Sequence, residues 1–589
     1  MYNTDSTTGS EKVSLDSSSS TQNNNNNNNN NINVPTPVKL ETSDSIQPFT
    51  GPNNNNSNDL ETGSIESDDA RLMRVETSSH LSRELSRKLT GADRLKIDPN
   101  EDIPKMGKDR NYPPMLPDSA DYTVAFDGTT DPVHPHNWSI KKKVAQCAII
   151  GFNTFCIAFG SAIFAQTILP LAEIYHVHYV VTTLSVTLYV LGFATGPIIW
   201  APLSELYGRR PVLVISSFTF CCFNFAVAVS DRLESILICR FFAGCLGAAP
   251  LVVVPASFAD MFGNETRGTA IVIFSMAVFV GPLVAPFIGG FIVANHRLGW
   301  RWTEFITGIL AAASFVTILL FEVETHHPII LVQKAREIRR KTGNWGIHAP
   351  HDEFSLTVKE IVENNLTRPL KMLFTEPILF FITLYNAFIY GMIYLFLSAY
   401  PIVFARGYGM APGVAELPYF GLVIGQTLGG FFCIYCEKDY NRKMRASGGK
   451  IIPENRLPPM LVGGIAFPIG LLWFCWTGNY HKTVHWIVPT VSGLFTGFGL
   501  ITIFNPSMNY IIDAYLVFAA SAMAANAFLR SIFGGVFPLF ATFMFTNMGT
   551  NWAGLLLGLF AVVLIICPLS FMKWGKQLRQ KSKYAFDIN

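Results

Sequence analysis

Residues 192–211 read Gly192-Phe-Ala-Thr-Gly196-Pro-Ile-Ile-Trp-Ala-Pro-Leu-Ser-Glu205-Leu-Tyr-Gly208-Arg209-Arg210-Pro211. This stretch leaves one long apolar segment, passes through a very short charged turn and enters the next apolar segment. Because about 20 apolar residues cross a bilayer, the pattern predicts two membrane helices that meet water at Glu205, Arg209 and Arg210. The turn therefore predicts a membrane protein that crosses the bilayer more than once.

The composition of the whole chain supports this prediction. Charged residues make up 15% of the 589 residues, whereas soluble domains carry about 25%. The net charge of +2 gives no reason to expect a nucleic-acid partner. The ten cysteines lie in apolar segments, so we expect them to be small packing residues. Neither a disulfide nor a metal site is expected.

Twelve apolar runs, each of about 20 residues or more, follow a polar tail and form two sets of six. The tail is rich in asparagine and serine and cannot bury enough apolar surface to fold. The predicted domains are a disordered tail (residues 1–137), a six-helix half (138–322), a central loop (323–376), a second six-helix half (377–572) and a C-terminal tail (573–589). The predicted fold is an all-α membrane protein with twelve transmembrane helices in two pseudo-symmetric six-helix bundles.

Lysine and arginine concentrate in the loops on one side of the predicted membrane. The basic stretches are residues 141–143, 209–210, 334–341, 438–450 and 573–583. Cytoplasmic loops carry an excess of these residues. We therefore predict that this side is cytoplasmic and that both termini, including the two tails, lie there.

The charged turn also predicts a gate. Glu205 can pair with Arg209 or Arg210, next to Gly208 and to helix ends that carry partial charges. Such a charge latch would hold the cytoplasmic helix ends together in one state and release them in another. The alternative is that the two arginines only fix the topology.

A degenerate copy of this pattern follows the eighth apolar run. Glycines are followed there by Glu437 and then by Arg442 and Lys443. Two six-helix halves with matching loops are typical of carriers whose binding site lies near the midplane, between the halves. We expect these three residues to form the second half of the latch.

Three charged residues near or within the spans are candidates for proton coupling. Arg240 lies inside the fourth apolar run, where a charge is costly and marks a function; it is expected to act on a nearby carboxyl group. Glu304, like Glu416, would lie toward the outer side, and Asp260 toward the inner side. The alternatives are an arginine that reaches the outer interface and acids paired with their neighbours.

A run of small residues and prolines lies in the fifth span. Gly281, Pro282, Pro286, Gly289 and Gly290 would allow close helix approach and a bend. The functional interpretation is a bend that seals the path on one side. The alternative is ordinary close packing.

Neutral polar groups within the spans predict a substrate cavity. In lipid such groups must face protein or water, and with 47 phenylalanines they suit a large apolar site with a few hydrogen-bonding points. The predicted cavity residues are Asn153, Gln166, Tyr189, Tyr385, Asn386, Tyr390, Gln426, Asn505, Asn509, Asn526 and Arg530.

Several motifs together carry a family resemblance. They are Asp131-Pro-Val-His-Pro-His-Asn137-Trp138, Leu203-Ser-Glu205-Leu-Tyr-Gly208-Arg209-Arg210-Pro211, Arg240-Phe-Phe-Ala-Gly244, Gly281-Pro-Leu-Val-Ala-Pro286, Trp300-Arg-Trp302, Pro453-Glu-Asn-Arg456-Leu-Pro458 and Asn526-Ala-Phe-Leu-Arg530-Ser. Over residues 125–575 the chain resembles the major facilitator superfamily and, more narrowly, the fungal twelve-span drug:proton antiporters of the multidrug and polyamine branch. Ala201 and Glu205 stand where the superfamily motif usually has glycine and aspartate.

The resemblance implies a proton-coupled antiporter that exports drugs, other xenobiotics and/or polyamines across the plasma membrane by alternating access. It implies a monomer surrounded by lipid, driven by the proton gradient without a cofactor or metal, and not an enzyme. Two alternatives stay open. One is a proton-coupled uptake symporter for a small organic nutrient, because direction rests on the resemblance alone. The other is a non-transporting nutrient sensor on a carrier scaffold.

Overall fold

The computed structural model describes residues 122–585, apart from residues 129, 345, 354–362, 449 and 451. Within these residues the regular structure is helical, with one isolated parallel bridge between Thr123 and His348. Twelve helical segments are long and apolar enough to cross a membrane. The prediction of an all-α protein with twelve transmembrane helices is confirmed.

The first six spans contain eight α-helices. They are α1 (Ile140–Ile163), α2 (Ile168–Ile174), α3 (Tyr179–Tyr207), α4 (Arg209–Val229), α5 (Leu233–Gly247), α6 (Ala249–Met261), α7 (Asn264–Ala294) and α8 (Arg301–Phe321). A short 3-10 helix (Phe164–Thr167) joins α1 to α2, so that both belong to one span. In the same way α5 and α6 form one span that is interrupted at Ala248.

The turn between α3 and α4 is a single residue, Gly208. Its φ is +98°, a conformation that side chains with a Cβ rarely adopt. A Cβ at this position would also collide with the carboxylate of Glu324. Glycine therefore lets the chain reverse and leaves room for an acid that approaches the start of α4.

The central segment contains two further helices, α9 (His327–Thr342) and α10 (Arg368–Thr375). α9 buries Ile330, Val332 and Ala335 and carries basic residues in its last turn. α9 is therefore an amphipathic helix. The helix ends at Gly343, whose φ of +70° is typical of a helix C-terminus.

The predicted disordered tail extends too far toward the first span. Residues 1–121 lie outside the described residues, but the stretch just before α1 is ordered against the central segment. The Val124 N–H donates to the His348 carbonyl oxygen at 2.9 Å, and the His348 N–H donates to the Tyr122 carbonyl oxygen at 3.0 Å. Val124 is buried together with Val332 and Ala335 of α9. A polar segment can order in this way when another part of the chain covers its few apolar residues.

The last six spans contain seven α-helices. They are α11 (Pro377–Tyr400), α12 (Tyr419–Ala446), α13 (Pro458–Asn479), α14 (Ile487–Ala514), α15 (Ala519–Met548), α16 (Thr550–Leu564) and α17 (Ile566–Lys581). A π-helical turn (Pro401–Gly407) extends α11, and a 3-10 helix (Val414–Glu416) precedes α12.

The predicted C-terminal tail also begins too early. α17 continues past residue 572 to Lys581, and Arg579 forms an ion pair with Glu454 at 2.8 Å. The Lys583 N–H donates to a carboxylate oxygen of Glu376 at 3.3 Å. Residues 573–583 are therefore a packed extension of the second half.

The two halves contact each other most extensively through two helix pairs. Between α3 and α15, the Thr187 hydroxyl donates to the Gly535 carbonyl oxygen at 2.8 Å. Between α7 and α12, the Gln426 side-chain amide donates to the Met276 carbonyl oxygen at 2.8 Å. The surface along which these helices meet is called the seam below.

Candidate functional site

The charged turn is held by acids from two distant segments. Glu324 accepts hydrogen bonds from the backbone N–H groups of Arg209 (2.9 Å) and Arg210 (3.1 Å) at the start of α4. A carboxylate is stabilised at a helix N-terminus because the free N–H groups and the helix dipole both favour negative charge. The Arg209 guanidinium pairs with Asp260 at 3.3 Å and donates to the Ser204 hydroxyl at 2.7 Å. These contacts are called the first latch below.

The predicted pairing of Glu205 is wrong. Glu205 is exposed, and the acid that pairs with Arg209 is Asp260 on α6. Asp260 was expected to belong to proton coupling, but the structure places it in the latch. Arg210 uses its guanidinium to donate to the Leu319 carbonyl oxygen at 3.1 Å, which ties α4 to α8.

Glu322 lies beside this latch, just after the sixth span. Burial raises the pKa of its carboxyl to about 8, and the neighbouring Glu324 charge adds to this rise, whereas Arg210 opposes it. One of its carboxyl oxygens is buried without a hydrogen-bond partner among the described residues. At neutral pH the protonated form of Glu322 therefore dominates, and it adds no negative charge next to Glu324.

A second group of charges, called the second latch below, is centred on Arg456, between α12 and α14. Its guanidinium donates to both carboxylate oxygens of Glu437, at 2.8 and 2.9 Å, and pairs with Asp513. It also lies 3.8 Å from the ring centre of Tyr440, whose hydroxyl bonds Asp513 at 3.1 Å. Arg456, Glu437, Asp513 and Tyr440 are all buried.

The predicted partners of Glu437 are also wrong. Lys443 pairs with Asp439 at 2.8 Å, one turn earlier on the same helix, and Arg442 is exposed. Glu437 packs so closely on Gly268 of α7 that a Cβ there would collide with its carboxylate. The second latch therefore contacts both halves.

Arg240 and Glu304 meet inside the first half. An Arg240 Nη donates to a Glu304 carboxylate oxygen at 3.1 Å, and both side chains are completely buried. The same guanidinium donates to the Gly160 carbonyl oxygen at 3.0 Å and the Ser185 carbonyl oxygen at 3.3 Å. Because Arg240 is enclosed in this way, the alternative in which it reaches the outer interface does not hold. Its predicted role in proton coupling remains a prediction.

Aromatic rings complete the surroundings of this pair. The Arg240 guanidinium lies 4.2 Å from the ring centre of Tyr189 and 4.6 Å from that of Phe164. Rings that face a cation stabilise it where water is absent. One oxygen of Glu304 and one nitrogen of Arg240 have no partner among the described residues, so the pair keeps one donor and one acceptor unused.

The glycines of α7 make close contacts on the outer part of the seam and within the first half. A Cβ at Gly281 would lie 2.9 Å from the Phe159 nitrogen, and one at Gly290 would lie 3.0 Å from the Gly413 Cα. At Gly289 the near contact is Ile163 of α1. α7 continues as one helix through Pro282 and Pro286. The contacts are those of close packing, and a sealing bend remains a prediction.

Glu416 lies at the end of the seam opposite the two latches. It is buried at 3% exposure, it contacts Gly290 of the first half, and the Gln166 side chain lies within hydrogen-bonding reach of its carboxyl. One carboxyl oxygen has no partner among the residues described. Gln166 was expected to line the cavity, and the structure places it at this outer contact.

The predicted cavity residues divide into three groups. Asn153 and Tyr189 lie in the interior of the first half, where Asn153 accepts from Ser217 (3.1 Å) and Ser314 (3.0 Å) and Tyr189 donates to the Ile157 carbonyl oxygen at 2.8 Å. These two residues are therefore not free to face a central cavity. The other two groups lie at the seam or in the second half.

In the second half, Asn386 accepts a hydrogen bond from the Ser507 hydroxyl at 2.7 Å, and the Tyr385 hydroxyl lies close to Gly464. Both residues therefore belong to the interior of this half. Asn505 and Asn509 line a small cavity of about 20 Å³, and Arg456 lines it as well. This cavity has room for about one water molecule. Gln426 and Tyr390 reach the seam. Asn526 and Arg530 follow on α15 and are described further below.

The comparisons with known proteins agree with this arrangement. Residues 150–538 match the Major Facilitator Superfamily. The chain belongs to the major facilitator superfamily. It is therefore a multi-pass membrane protein of a transporter family, whose members handle small molecules.

Several fungal members of the superfamily are similar over most of the chain. Multidrug transporter TPO1_2 of Candida glabrata is 54% identical over 531 residues, which cover 90% of each protein. The major facilitator superfamily multidrug transporter FLU1 of Candida albicans is 52% identical over 528 residues, covering 89% of this chain and 86% of that protein.

Solved structures share the fold at low sequence identity. The proton:xylose symporter XylE of the superfamily, bound to 6-bromo-6-deoxy-D-glucose, has a TM-score of 0.52 at 15% identity, over 74% of this chain and 96% of that chain. The human organic anion transporter MFSD10 has a TM-score of 0.51 at 14% identity, over 73% and 100%. These likenesses concern the fold alone.

Sequence reasoning missed Glu324 at the first latch and the pairing of Arg456 with Asp513 at the second. It placed neither Glu324 nor Asp513 in a latch, and Arg456 stood only within a quoted motif. The available signal was that each of these charges stands next to a predicted span, where an unpaired charge is costly. What the sequence does not supply is which distant helix end lies opposite.

Proposed function

We propose that this superfamily member is a proton-coupled antiporter that exports drugs, other xenobiotics and/or polyamines across the plasma membrane by alternating access. It acts as a monomeric carrier and not an enzyme, with both termini in the cytosol and the proton gradient as its only energy source. The similarity to two proteins named multidrug transporters supports the substrate class.

The observation that carries proton coupling is the buried Arg240–Glu304 pair. Two opposite charges at 3.1 Å without solvent are stable only as a pair, because removal of either charge leaves the other buried and unpaired. A proton delivered to Glu304 cancels its charge and weakens the contact between α8 and α5. The free oxygen of Glu304 is an acceptor for that proton.

The latches supply the second part of the proposed cycle. When the cytoplasmic latches are closed, α4 is held to α6 and to the segment after α8, and α12 is held to α13 and α14. The second latch also meets α7 across the seam. Opening the carrier to the cytosol requires this contact to separate, while opening it to the outside requires separation near Glu416 and Gly290.

The experiment is proton-gradient-driven flux in vesicles that contain the purified protein. Spermine and a lipophilic azole-type drug are compared on the wild type and on Glu304→Gln. We expect substrate to move against an inward proton gradient in the wild type and to lose this dependence in the variant. Efflux that persists after a protonophore collapses the gradient contradicts the proposal, and substrate movement along with the protons supports the uptake symporter instead.

A further inference from the structure

Arg530 is a buried arginine that has no acidic partner. Its side chain lies near the middle of α15 at 9% exposure, and its Nε has no hydrogen-bond partner within the described chain. No ion pair joins it to an acid in the part of the chain that the structure describes. Arginine keeps its charge in proteins, so it cannot lower the cost of burial by releasing a proton. The position therefore calls for a negative or strongly accepting group from elsewhere.

The guanidinium faces aromatic walls. It lies 5.2 Å from the ring centre of Tyr390 on α11 and 5.5 Å from that of Phe504 on α14. Phe279 of α7, in the other half, packs edge-on against Phe504 at 4.6 Å. An aromatic ligand that reached the guanidinium would therefore contact these rings.

A further polar atom without a partner lies on the same helix. Asn526 precedes Arg530 by four residues and so shares its helix face. The Asn526 side-chain oxygen is buried without a hydrogen-bond partner among the described residues. Because buried polar groups are nearly always hydrogen-bonded, the unpartnered atoms of Asn526 and Arg530 indicate a place where a ligand completes the contacts.

The site also touches both halves. Tyr390 and Tyr394 place their hydroxyls 3.3 Å apart, and the Tyr394 hydroxyl lies 2.9 Å from that of Ser161 on α1. A ligand on Arg530 therefore meets a hydrogen-bonded chain that crosses the seam. This is the location expected for the substrate of a carrier with two pseudo-symmetric halves.

We propose that Arg530 binds an anionic group of a transported substrate, a carboxylate or sulfonate carried on an aromatic body. The inference rests on the proposed export function and adds an anionic class of substrate to it. Guanidinium recognises planar oxyanions through two parallel hydrogen bonds.

The test uses two probes with the same naphthalene body and opposite permanent charges, naphthalene-2-sulfonate and (2-naphthylmethyl)trimethylammonium. Binding of each to the purified full chain in lipid nanodiscs is measured by titration calorimetry. We expect the wild type to bind the sulfonate at least about tenfold more tightly, the scale of a charge-assisted hydrogen bond. Arg530→Gln should remove that preference, and Arg530→Lys should keep part of it.

Arg445→Gln is the matched control, because Arg445 pairs with Glu265 at the exposed cytoplasmic face and should leave both affinities unchanged. Equal binding of the two probes by the wild type, or an unchanged sulfonate affinity in Arg530→Gln, overturns the inference. If Arg530→Gln does not fold, the wild-type ratio alone decides. Proton-driven export of the azole drug by the wild type is measured in parallel. If the wild type does not export the drug, the proposed function is refuted. If it exports the drug but does not prefer the sulfonate probe, only the anion site is refuted.

Discussion

Two buried arginines within membrane-spanning helices, Arg240 and Arg530, have opposite surroundings. Arg240 is surrounded by Glu304, two backbone carbonyl oxygens and two rings. Arg530 has rings on its faces but no acid in the described part of the chain. The first arginine therefore has its counter-charge beside it, whereas the second has none among the described residues. This difference supports our proposals that the Arg240–Glu304 pair takes part in proton coupling and that Arg530 binds substrate.

The largest expected effect is a difference in protein stability between the Arg240 and Arg530 variants. Arg240→Gln leaves Glu304 buried and unpaired, so we expect it to lower the free energy of unfolding by about 3–5 kcal/mol. Arg530→Gln removes a charge that has no acidic partner among the described residues, together with its contacts to two aromatic rings, so we expect a smaller loss, of about 2 kcal/mol or less. Thermal unfolding of both purified variants in the same detergent measures the difference. Equal losses in the two variants would contradict the distinction between paired and unpaired arginines.

A smaller effect tests the same rule at the first latch. Asp260→Asn removes the charge that pairs with Arg209 at 3.3 Å, so we expect a loss of about 1.5–3 kcal/mol, the range for hydrogen bonds to charged groups. Glu205→Gln is the matched control, because an exposed substitution usually changes stability by less than about 0.5 kcal/mol. A larger loss of stability for Glu205→Gln than for Asp260→Asn would contradict this assignment and support the pairing of Glu205 with Arg209 that the sequence predicted.

Glu322 is a buried acid, and unlike Arg530 it can lower the energetic cost of burial by binding a proton and becoming neutral. Its pKa is raised from 4.5 to about 8, so its contribution to stability is complete below pH 4.5 and declines as the pH rises to about 8. The slope is at most about 1.4 kcal/mol per pH unit for one proton. Thermal unfolding between pH 6 and about 8.5 should show this decline in the wild type and a flatter profile in Glu322→Gln. Identical profiles would show that Glu322 is already ionised.

The sequence predicts the spans better than it predicts the contacts. Apolar runs and basic loops were enough to predict twelve spans, because the bilayer dictates length and hydropathy locally. Arg240 could be marked as functional for the same reason, since a charge within an apolar run is unusual wherever its partner lies. The pairing of Arg209 with Asp260, and of Arg456 with Asp513, depends on which helix ends meet, and local periodicity does not contain that information.

Nearness in sequence misled the prediction in two places. Glu205 stands four residues from Arg209 at the end of a helix, but Gly208 turns the chain, so that the acid points away into water while Glu324 approaches from another segment. Residues 122–137 have the composition of a disordered tail, yet Val124 is buried against α9. In both cases a distant segment supplied the contact that decided the outcome.

The most direct test of the division between the two arginines is proton-driven export of a neutral azole drug by reconstituted Glu304→Gln and Arg530→Gln, side by side with the wild type. Glu304→Gln should lose the dependence on the proton gradient, because its carboxyl can no longer accept the proton. Arg530→Gln should keep that dependence, because the drug carries no anionic group to lose. Gradient-dependent export by Glu304→Gln, or its loss in a folded Arg530→Gln, would contradict this account.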